Sequence, residues 1–172
     1  MLNRDLSRAD DGSANPWYYE MSEIGFNYRV SDVNCALGLS QLGKFERFVA
    51  RRREIARQYD EVLAPFAPVI RPLARMPWCD PVLHLYVVRI DFAALQMDRA
   101  AFMRLLRNAG IGTQVHYMPL HLQPYYRNRY GAQRLPGAEA YYQSALSLPF
   151  YPGLTDQDVE RVVTALRGIV KC

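Results

Sequence analysis

The sequence predicts a small α+β domain with helices on one face of a few-stranded sheet. Three observations support this fold class. Segments with helical spacing of apolar residues alternate with short runs rich in β-branched and aromatic residues, and proline and glycine separate these segments. Half of the 172 residues are hydrophobic. A chain of this length accommodates one domain with a substantial core and is short for two.

One long helix is predicted over residues 31–63. Ser31 or Asp32 is a suitable N-cap, and apolar residues recur near helical spacing. Cys35 lies within this helix, so we expect it to be a small core residue. The apolar face near the helix start consists of Val33, Ala36, Leu37 and Leu42. No strand precedes the helix, and such a helix often links two domains, so we expect a further segment upstream.

Two strands and a helix are predicted in the middle of the chain. A proline-rich connector holds a short strand at residues 69–71, and β-branched and aromatic residues predict a strand over residues 82–92. Asp98 is expected to cap a helix that ends at Gly110. Residues 111–120 are then expected to form another strand.

The last third of the chain is predicted to be mostly helical. A turn-rich segment over residues 121–131 precedes a helix over residues 136–147, which begins with a proline. Thr155 starts the final helix. Asp158 is the third residue of the helical run that begins at Asp156, where a carboxylate suits the first turn.

The charge, the cysteines and the apolar runs of the sequence limit which partners and sites are expected. The net charge is +4, and the basic residues are nineteen arginines and only two lysines, Lys44 and Lys171. Arginine binds phosphate and carboxylate with a two-pronged fork, but this small excess is weak support for a nucleic-acid partner. The three cysteines are too far apart to indicate a disulfide framework or a zinc site. No transmembrane run or signal-peptide core is present, so we expect a cytoplasmic protein without a membrane partner.

Asn27 and Arg29 lie just before the predicted helix start. A guanidinium and an amide can both donate to phosphate oxygens, and a helix N-terminus adds free N–H groups and a partial positive charge. These residues therefore form a candidate anion site. An ordinary solvated loop is the alternative, because the N-x-R pattern is common.

Residues 114–126 form a second candidate site. Pro119 lies between His116 and His121, so a regular helix is not expected there, and no neighbouring carboxylate or cysteine suggests a metal. The histidines are either hydrogen-bonding groups in a pocket or turn residues. Tyr117, Tyr125 and Tyr126 could stack on a ring or bind a sugar. The run YYRNRY (125–130) interleaves aromatic and basic residues, which leaves single-stranded nucleic acid as a weaker alternative.

Four signatures in the same order resemble one family: GFNYRVSDVNCALGLSQL (25–42), HLYVVRID (84–91), GIGTQVHYMPLHLQPYY (110–126) and AEAYYQSALSLPFYPGLTDQDVERVV (138–163). The chain resembles the C-terminal part of the DegT/DnrJ/EryC1/StrS sugar aminotransferases, which depend on pyridoxal 5'-phosphate. The run PWYYEM (16–21) is most similar to the pseudaminic-acid branch. Enzymes of that branch aminate a UDP-linked 4-keto-6-deoxy-N-acetylhexosamine.

The resemblance implies a fold and a set of roles. Residues 1–30 would be a flexible and loop segment belonging to the large domain. Residues 31–172 would be the linking helix and C-terminal small domain of the fold-type I, aspartate-aminotransferase-like fold. Asn27 would reach the cofactor phosphate in the partner subunit, and Arg29 would lie near the nucleotide-sugar phosphates. His116, Tyr117 and His121 would border the nucleotide-sugar pocket.

The resemblance also implies an expectation about activity. Family members are cytoplasmic homodimers with shared sites, and an amino donor such as glutamate supplies the amino group. The lysine that forms the Schiff base with pyridoxal phosphate precedes the matching region, and neither Lys44 nor Lys171 occupies a suitable position. We therefore expect a fragment that is inactive alone, with the cofactor bound mainly by the missing N-terminal part. The alternatives are a degenerate, non-catalytic binding protein of the same ancestry and, more weakly, a basic nucleic-acid-binding domain.

Overall fold

A computed structural model describes residues 7–21 and 23–170. The chain divides into two compact units, one ending at Leu42 and the other beginning at Gly43. The predicted division between residues 30 and 31, which concerns the two domains of the family fold, stays a prediction. Within the described ranges, no helix combines the length and the apolar character needed to cross a membrane.

The first unit has little regular structure before its helix. A tight turn joins Arg8 and Ala14 in an isolated β-bridge. Inside the turn, the backbone N–H of Ser13 donates to the Asp11 carboxylate at 2.9 Å. Gly12 supplies the positive φ of 83° that this turn requires.

Helix α1 (Asp32–Leu42) ends the first unit and buries none of its residues. Ser31 Oγ accepts a hydrogen bond from the Asn34 backbone N–H at 3.4 Å, which confirms Ser31 as a capping residue. The expectation that Cys35 is a core residue is wrong, because its side chain is exposed. The predicted apolar face of this helix is exposed as well.

The prediction of one long helix over residues 31–63 is wrong. A second helix, α2 (Phe45–Leu63), follows α1 after a turn at Gly43 and Lys44. Glycine loses the most conformational freedom in a helix, so it favours such a break. Lys44 has a ψ of −1°, outside the range of a regular helix.

Three short antiparallel strands form the sheet of the second unit, in the order β1 (Ile70–Pro72), β2 (Tyr86–Ile90) and β3 (Ala145–Leu148). Strand β1 lies one residue from its predicted position, and β2 is shorter than predicted. In register, Ile70 pairs with Ile90 and Tyr86 pairs with Leu148.

The predicted strand over residues 111–120 is wrong. Only Gln114 makes a β-bridge there, to Ser147. The third strand instead follows the helix that was expected to reach residue 147. The run ALSL is short and apolar, so periodicity alone could not separate a helix end from a buried strand.

Four further helices belong to the second unit: α3 (Arg99–Asn108), α4 (Pro124–Tyr130), α5 (Pro136–Ser144) and α6 (Asp156–Val170). Short 3-10 turns cover Ala64–Phe66 and Leu120–Leu122. The segment over residues 121–131, predicted to be turn-rich, is instead mostly helical, because it contains α4. Gln123 and Pro124 begin α4, and proline is well tolerated at a first helical position.

The predicted ends of α3 and α6 are confirmed. The Asp98 carboxylate accepts a hydrogen bond from the Ala101 N–H at 2.6 Å, and Gly110 has a φ of 78° just beyond the helix. At α6, the Asp158 carboxylate accepts from the Thr155 N–H at 3.1 Å, and Thr155 Oγ1 accepts from the Asp158 N–H at 3.1 Å. This reciprocal pair is a capping box.

The core lies between one face of the sheet and helices α2, α3 and α6, which confirms the predicted α+β layering. Its fully buried large side chains are Tyr59, Phe102, Ile55, Leu63, Ile70, Ile90, Leu106, Leu146, Leu166, Val88, Val162 and Val163. The Tyr59 and Tyr86 rings are 4.7 Å apart, and Tyr59 also donates to the Pro149 carbonyl at 3.0 Å. The second unit thus has its own complete hydrophobic core.

Candidate functional site

The segment before α1 places Asn27 and Arg29 on a shared side of the chain. The Phe26 and Tyr28 rings stack with centroids 5.2 Å apart. Side chains two residues apart lie on the same side of an extended chain, so this stack indicates that Asn27 and Arg29 face the other side. Both residues are exposed. The two-residue spacing thus brings an amide and a guanidinium to one surface.

Asn27 and Arg29 are available to an external ligand. Among the described residues, neither side chain forms a hydrogen bond or an ion pair. Both side chains carry strong hydrogen-bond donors, so an anion could bind to them without breaking an existing contact. The backbone N–H of Asn34 is already bound to Ser31, so α1 offers this anion site fewer free donors than the sequence suggested.

The second unit contains the other predicted residues, in the loop between α3 and α4. Backbone bonds hold the start of this loop against β3: Ser147 N–H donates to the Gln114 carbonyl at 2.8 Å, and Gln114 N–H donates to the Ser147 carbonyl at 3.3 Å. His116 Nδ1 lies 2.7 Å from Ser147 Oγ. The ring of Tyr117 meets the His116 ring edge to face, with centroids 4.7 Å apart.

His121 anchors the other end of the loop. Its side chain is only 5% exposed, and its Nε2 lies 3.1 Å from Glu139 Oε1 on α5. The sequence offered no carboxylate close to the two histidines, and the fold supplies one from eighteen residues further along the chain. The same Glu139 oxygen accepts the Leu135 N–H at 2.8 Å. The hydrogen bond from the Leu135 N–H lowers the pKa of Glu139 below its ordinary value, and the contact with His121 lowers it further.

Tyr141 adds a third contact to this loop. Its hydroxyl donates to the His116 carbonyl at 3.3 Å. Burial raises the pKa of Tyr141 above its ordinary value, so the hydroxyl stays protonated and remains a donor. Helix α5, through Tyr141, and strand β3, through Ser147, therefore hold the backbone and the side chain of His116.

The loop between these anchors presents one aromatic hydroxyl to solvent. Tyr117 is 72% exposed, whereas His116 is half-buried and His121 is buried. The structure thus brings all three predicted loop residues to one short segment, but gives them different roles. The histidines make internal contacts, and the Tyr117 side chain remains available to a ligand.

The aromatic and basic run over residues 125–130 forms helix α4. The Tyr126 and Tyr130 rings stack at 6.3 Å, and the Tyr125 and Tyr126 rings meet edge to face at 5.2 Å. Arg129 lies over the Tyr130 ring at 5.6 Å. These side chains therefore already stack on one another, which does not favour the single-stranded nucleic-acid hypothesis.

Sequence reasoning missed Glu139, Tyr141 and Ser147. Ser147 carried a usable signal, because a polar residue inside a short apolar run predicts a buried hydrogen-bonding partner. Glu139 follows a helix-starting proline closely enough to suggest a contact with the first turn. Neither signal identified a histidine as the partner, since the histidines are far away in sequence.

Comparison with known proteins identifies the family to which this chain belongs. The family model of the DegT/DnrJ/EryC1/StrS aminotransferase family matches residues 6–167. The chain therefore belongs to this family.

Individual relatives agree with the family match. The spore coat polysaccharide biosynthesis protein SpsC of Bacillus subtilis is 36% identical over 166 residues, which cover 92% of this chain and 41% of SpsC. The chain spans about two fifths of the length of the curated relatives that it matches.

Solved structures of the same fold match almost the whole chain. Helicobacter pylori PseC, an aminotransferase involved in the biosynthesis of pseudoaminic acid, matches with a TM-score of 0.82 and 26% identity, covering 98% of this chain and 44% of PseC. Spr1654 of Streptococcus pneumoniae, solved in its PLP form, matches with a TM-score of 0.80 and 29% identity over 90% of this chain and 39% of that chain. The fold is that of the pyridoxal-phosphate-dependent aminotransferases, and the small sheet corresponds to their C-terminal domain.

Proposed function

We propose that this chain is the C-terminal part of a nucleotide-sugar aminotransferase that moves an amino group from glutamate to a UDP-linked 4-keto-6-deoxy-N-acetylhexosamine. The observation that carries the proposal is the family match over residues 6–167. Similarity to PseC over 98% of this chain supports the pseudaminic-acid branch. The complete enzyme would be a cytoplasmic homodimer with sites shared between subunits.

Asn27 suits the phosphate of pyridoxal 5'-phosphate. Its carboxamide is exposed, has no partner among the described residues and can donate two hydrogen bonds. An exposed donor suits a role across a subunit interface, where the cofactor would be held mainly by residues that precede this chain in its relatives. The bound cofactor supplies the electron sink that transamination needs.

Arg29 suits the phosphates of the nucleotide sugar. Its guanidinium is exposed and without an ion-pair partner in the described part of the chain, so it can bind a diphosphate with two parallel hydrogen bonds. Tyr117 is exposed in the second unit, and its hydroxyl suits the oxygens of a nucleotide sugar. The two histidines would shape the edge of the pocket.

The chain alone is proposed to be inactive. Transamination needs a lysine amine next to the cofactor, activated by desolvation or by neighbouring charge. Lys44 is exposed at the start of α2, so burial does not desolvate its amine, and Lys171 lies outside the described residues. Reduction of a mixture of the chain and pyridoxal phosphate with borohydride should give no stoichiometric adduct at one lysine. A single complete adduct on Lys44 or Lys171, mapped by mass spectrometry, would contradict this.

A chimera tests the activity itself. The part of SpsC that precedes its matching region is joined to this chain, and amination of the UDP-linked 4-keto sugar by glutamate is followed by mass spectrometry. We expect amination by the chimera and none by the chain alone. A folded, cofactor-loaded chimera without activity would favour the non-catalytic hypothesis.

Two substitutions in the chimera separate the proposed roles. Arg29→Ala should weaken UDP-sugar binding by roughly 1.5–3 kcal/mol, about one to two powers of ten, because a charged hydrogen-bonding partner is lost. The glutamate half-reaction should be largely intact. Asn27→Ala should instead weaken pyridoxal phosphate binding. Separate titrations of the two ligands distinguish these outcomes. If Arg29→Ala leaves the UDP-sugar affinity unchanged, Arg29 does not bind the nucleotide-sugar phosphates and belongs to an ordinary solvated loop.

A further inference from the structure

The loop that carries Tyr117 is held on both sides by side chains from outside its motif. We propose that Ser147 and Glu139 are positioning residues for nucleotide-sugar recognition: by binding His116 and His121, they fix the Tyr117 hydroxyl where the ligand meets it. This inference rests on the proposed function, because it assumes that Tyr117 contacts the nucleotide sugar.

Ser147 determines the orientation of the His116 ring. Ser147 is 5% exposed inside β3, so its hydroxyl has little access to water. Its contact with His116 Nδ1 at 2.7 Å satisfies a buried polar group that would otherwise be left unpaired at a cost. With Nδ1 occupied, Nε2 is the nitrogen left for an outside partner. The orientation of the ring is therefore set by the sheet.

Glu139 fixes the far end of the loop. One carboxylate oxygen accepts both the Leu135 N–H at 2.8 Å and a contact from His121 Nε2 at 3.1 Å. Leu135 precedes the first residue of α5, so Glu139 joins the start of that helix to the 3-10 turn that contains His121. The position of the turn thus depends on a carboxylate one helix away.

Tyr117 lies between these two anchors. It is adjacent to His116 in sequence and meets its ring edge to face, so the orientation of His116 restricts the space open to the Tyr117 ring. Its hydroxyl can donate and accept hydrogen bonds, which suits the oxygens of a sugar or a phosphate. An exposed side chain on a fixed backbone loses less freedom on binding than one on a mobile loop.

A looser loop should affect only one of the two half-reactions. Loosening the loop should raise the KM for the nucleotide sugar. It should leave the half-reaction with the amino donor unchanged, because that step does not use the nucleotide portion of the site. A general loss of folding would instead affect both half-reactions and the free energy of unfolding.

The experiment uses the active chimera with Ser147→Ala, Tyr117→Phe and the double variant, each assayed for both half-reactions and for stability. We expect Ser147→Ala to raise the KM for the UDP-sugar by roughly five- to tenfold, the size of one lost hydrogen bond. In the Tyr117→Phe background, Ser147→Ala should add little further. Ser144→Ala is the matched control, because the Ser144 hydroxyl binds Arg89 and the backbone carbonyls of Ala140 and Tyr141 rather than a residue of this loop.

Glu139 provides a second pair of variants that does not depend on Ser147. Glu139→Ala removes the acceptor and should raise the same KM, whereas Glu139→Gln keeps an acceptor oxygen and should restore it. Additive effects of Ser147→Ala and Tyr117→Phe, or equal losses in Glu139→Ala and Glu139→Gln, would overturn the inference. An unsubstituted chimera that is folded and loaded with cofactor but does not aminate the sugar would instead overturn the proposed function, so the two failures are distinguishable.

Discussion

The unit that begins at Gly43 buries large apolar side chains from three helices and a sheet, whereas α1 in the unit that ends at Leu42 buries none. Apolar residues are frequent in both units, but among the described residues only the second unit buries them. The exposed large apolar residues of the first unit are Trp17, Tyr19, Met21, Ile24, Phe26, Tyr28, Val30, Val33, Leu37, Leu39 and Leu42. Exposed apolar patches of this extent are typical of interaction surfaces.

The second unit therefore accounts for the stability of the chain, and the first unit presents most of its exposed apolar surface. The second unit has the buried area, the helix caps and the internal ion pairs of a self-supporting domain. The first unit presents exposed apolar side chains, and Asn27 and Arg29 are exposed among them.

The largest expected difference concerns two leucines. Leu106 in α3 is fully buried, and Leu37 in α1 is 60% exposed. Leu106→Ala should lower the free energy of unfolding by about 2–5 kcal/mol, because it removes buried methyl groups and leaves a cavity. Leu37→Ala should change it by less than about 0.5 kcal/mol. Urea denaturation of both variants measures the difference, and equal losses would show that α1 is packed.

A smaller difference is expected for two helix caps. Thr155 forms reciprocal hydrogen bonds with Asp158 at the start of α6, which packs on the core. Thr155→Ala should cost about 1 kcal/mol of unfolding free energy. Ser31→Ala removes the cap of α1 and should leave global unfolding almost unchanged, since α1 buries nothing. A comparable loss in Ser31→Ala would mean that α1 unfolds together with the core.

The acid stability of the chain should depend on carboxylates at the start of α6. The pKa of Asp156 is lowered most by a hydrogen bond from Gln58 and next by one from Arg51. Hydrogen bonds from Thr155 lower that of Asp158. Both folded pKa values lie below the ordinary value of 3.8, so their stabilisation is present above that pH and lost as the pH falls through the folded values.

Asp156→Asn tests this pH dependence. The variant should lose stability less steeply than the unsubstituted chain when unfolding is measured from pH 6 down to pH 3. Asp10→Asn changes an exposed carboxylate of the first unit and serves as the charge-matched control. An identical acid slope in the unsubstituted chain and in Asp156→Asn would contradict the role of Asp156.

The smallest effect on stability, but a clear effect on association, is expected for the apolar face of α1. The double substitution Val33→Glu, Leu37→Glu should reduce binding of a hydrophobic dye and reduce self-association. The free energy of unfolding should remain within about 0.5 kcal/mol of that of the unsubstituted chain. A chain that is already monodisperse and does not bind the dye would show that this surface is covered.

The sequence predicted the fold class because caps and apolar spacing are local signals. Asp98, Gly110, Thr155 and Asp158 are located where the sequence placed them. It mispredicted the strand after α3, because pairing partners are chosen by the fold and not by local composition. Gly43 shows the same limit on a smaller scale, since a single glycine did not reveal that α1 and α2 are separate helices.

The candidate site shows which signals the sequence lacks. His116, Tyr117 and His121 were found because they occur together in a motif. Ser147 and Glu139, which hold the histidines, occur 31 and 18 residues further along the chain from their partners. Contacts over such separations depend on the packing of α5 and β3, so no local pattern could predict them.

Amide hydrogen exchange of the unsubstituted chain tests the division between the two units most directly. We predict strong protection in α2, β2 and α6, approaching the global stability, and little protection in α1 because no buried side chain holds it. Exchange of residues 32–42 at nearly the rate of an unfolded peptide would agree with a helix that the core does not stabilise. Protection of α1 equal to that of α2 would contradict the division into one packed and one unpacked unit.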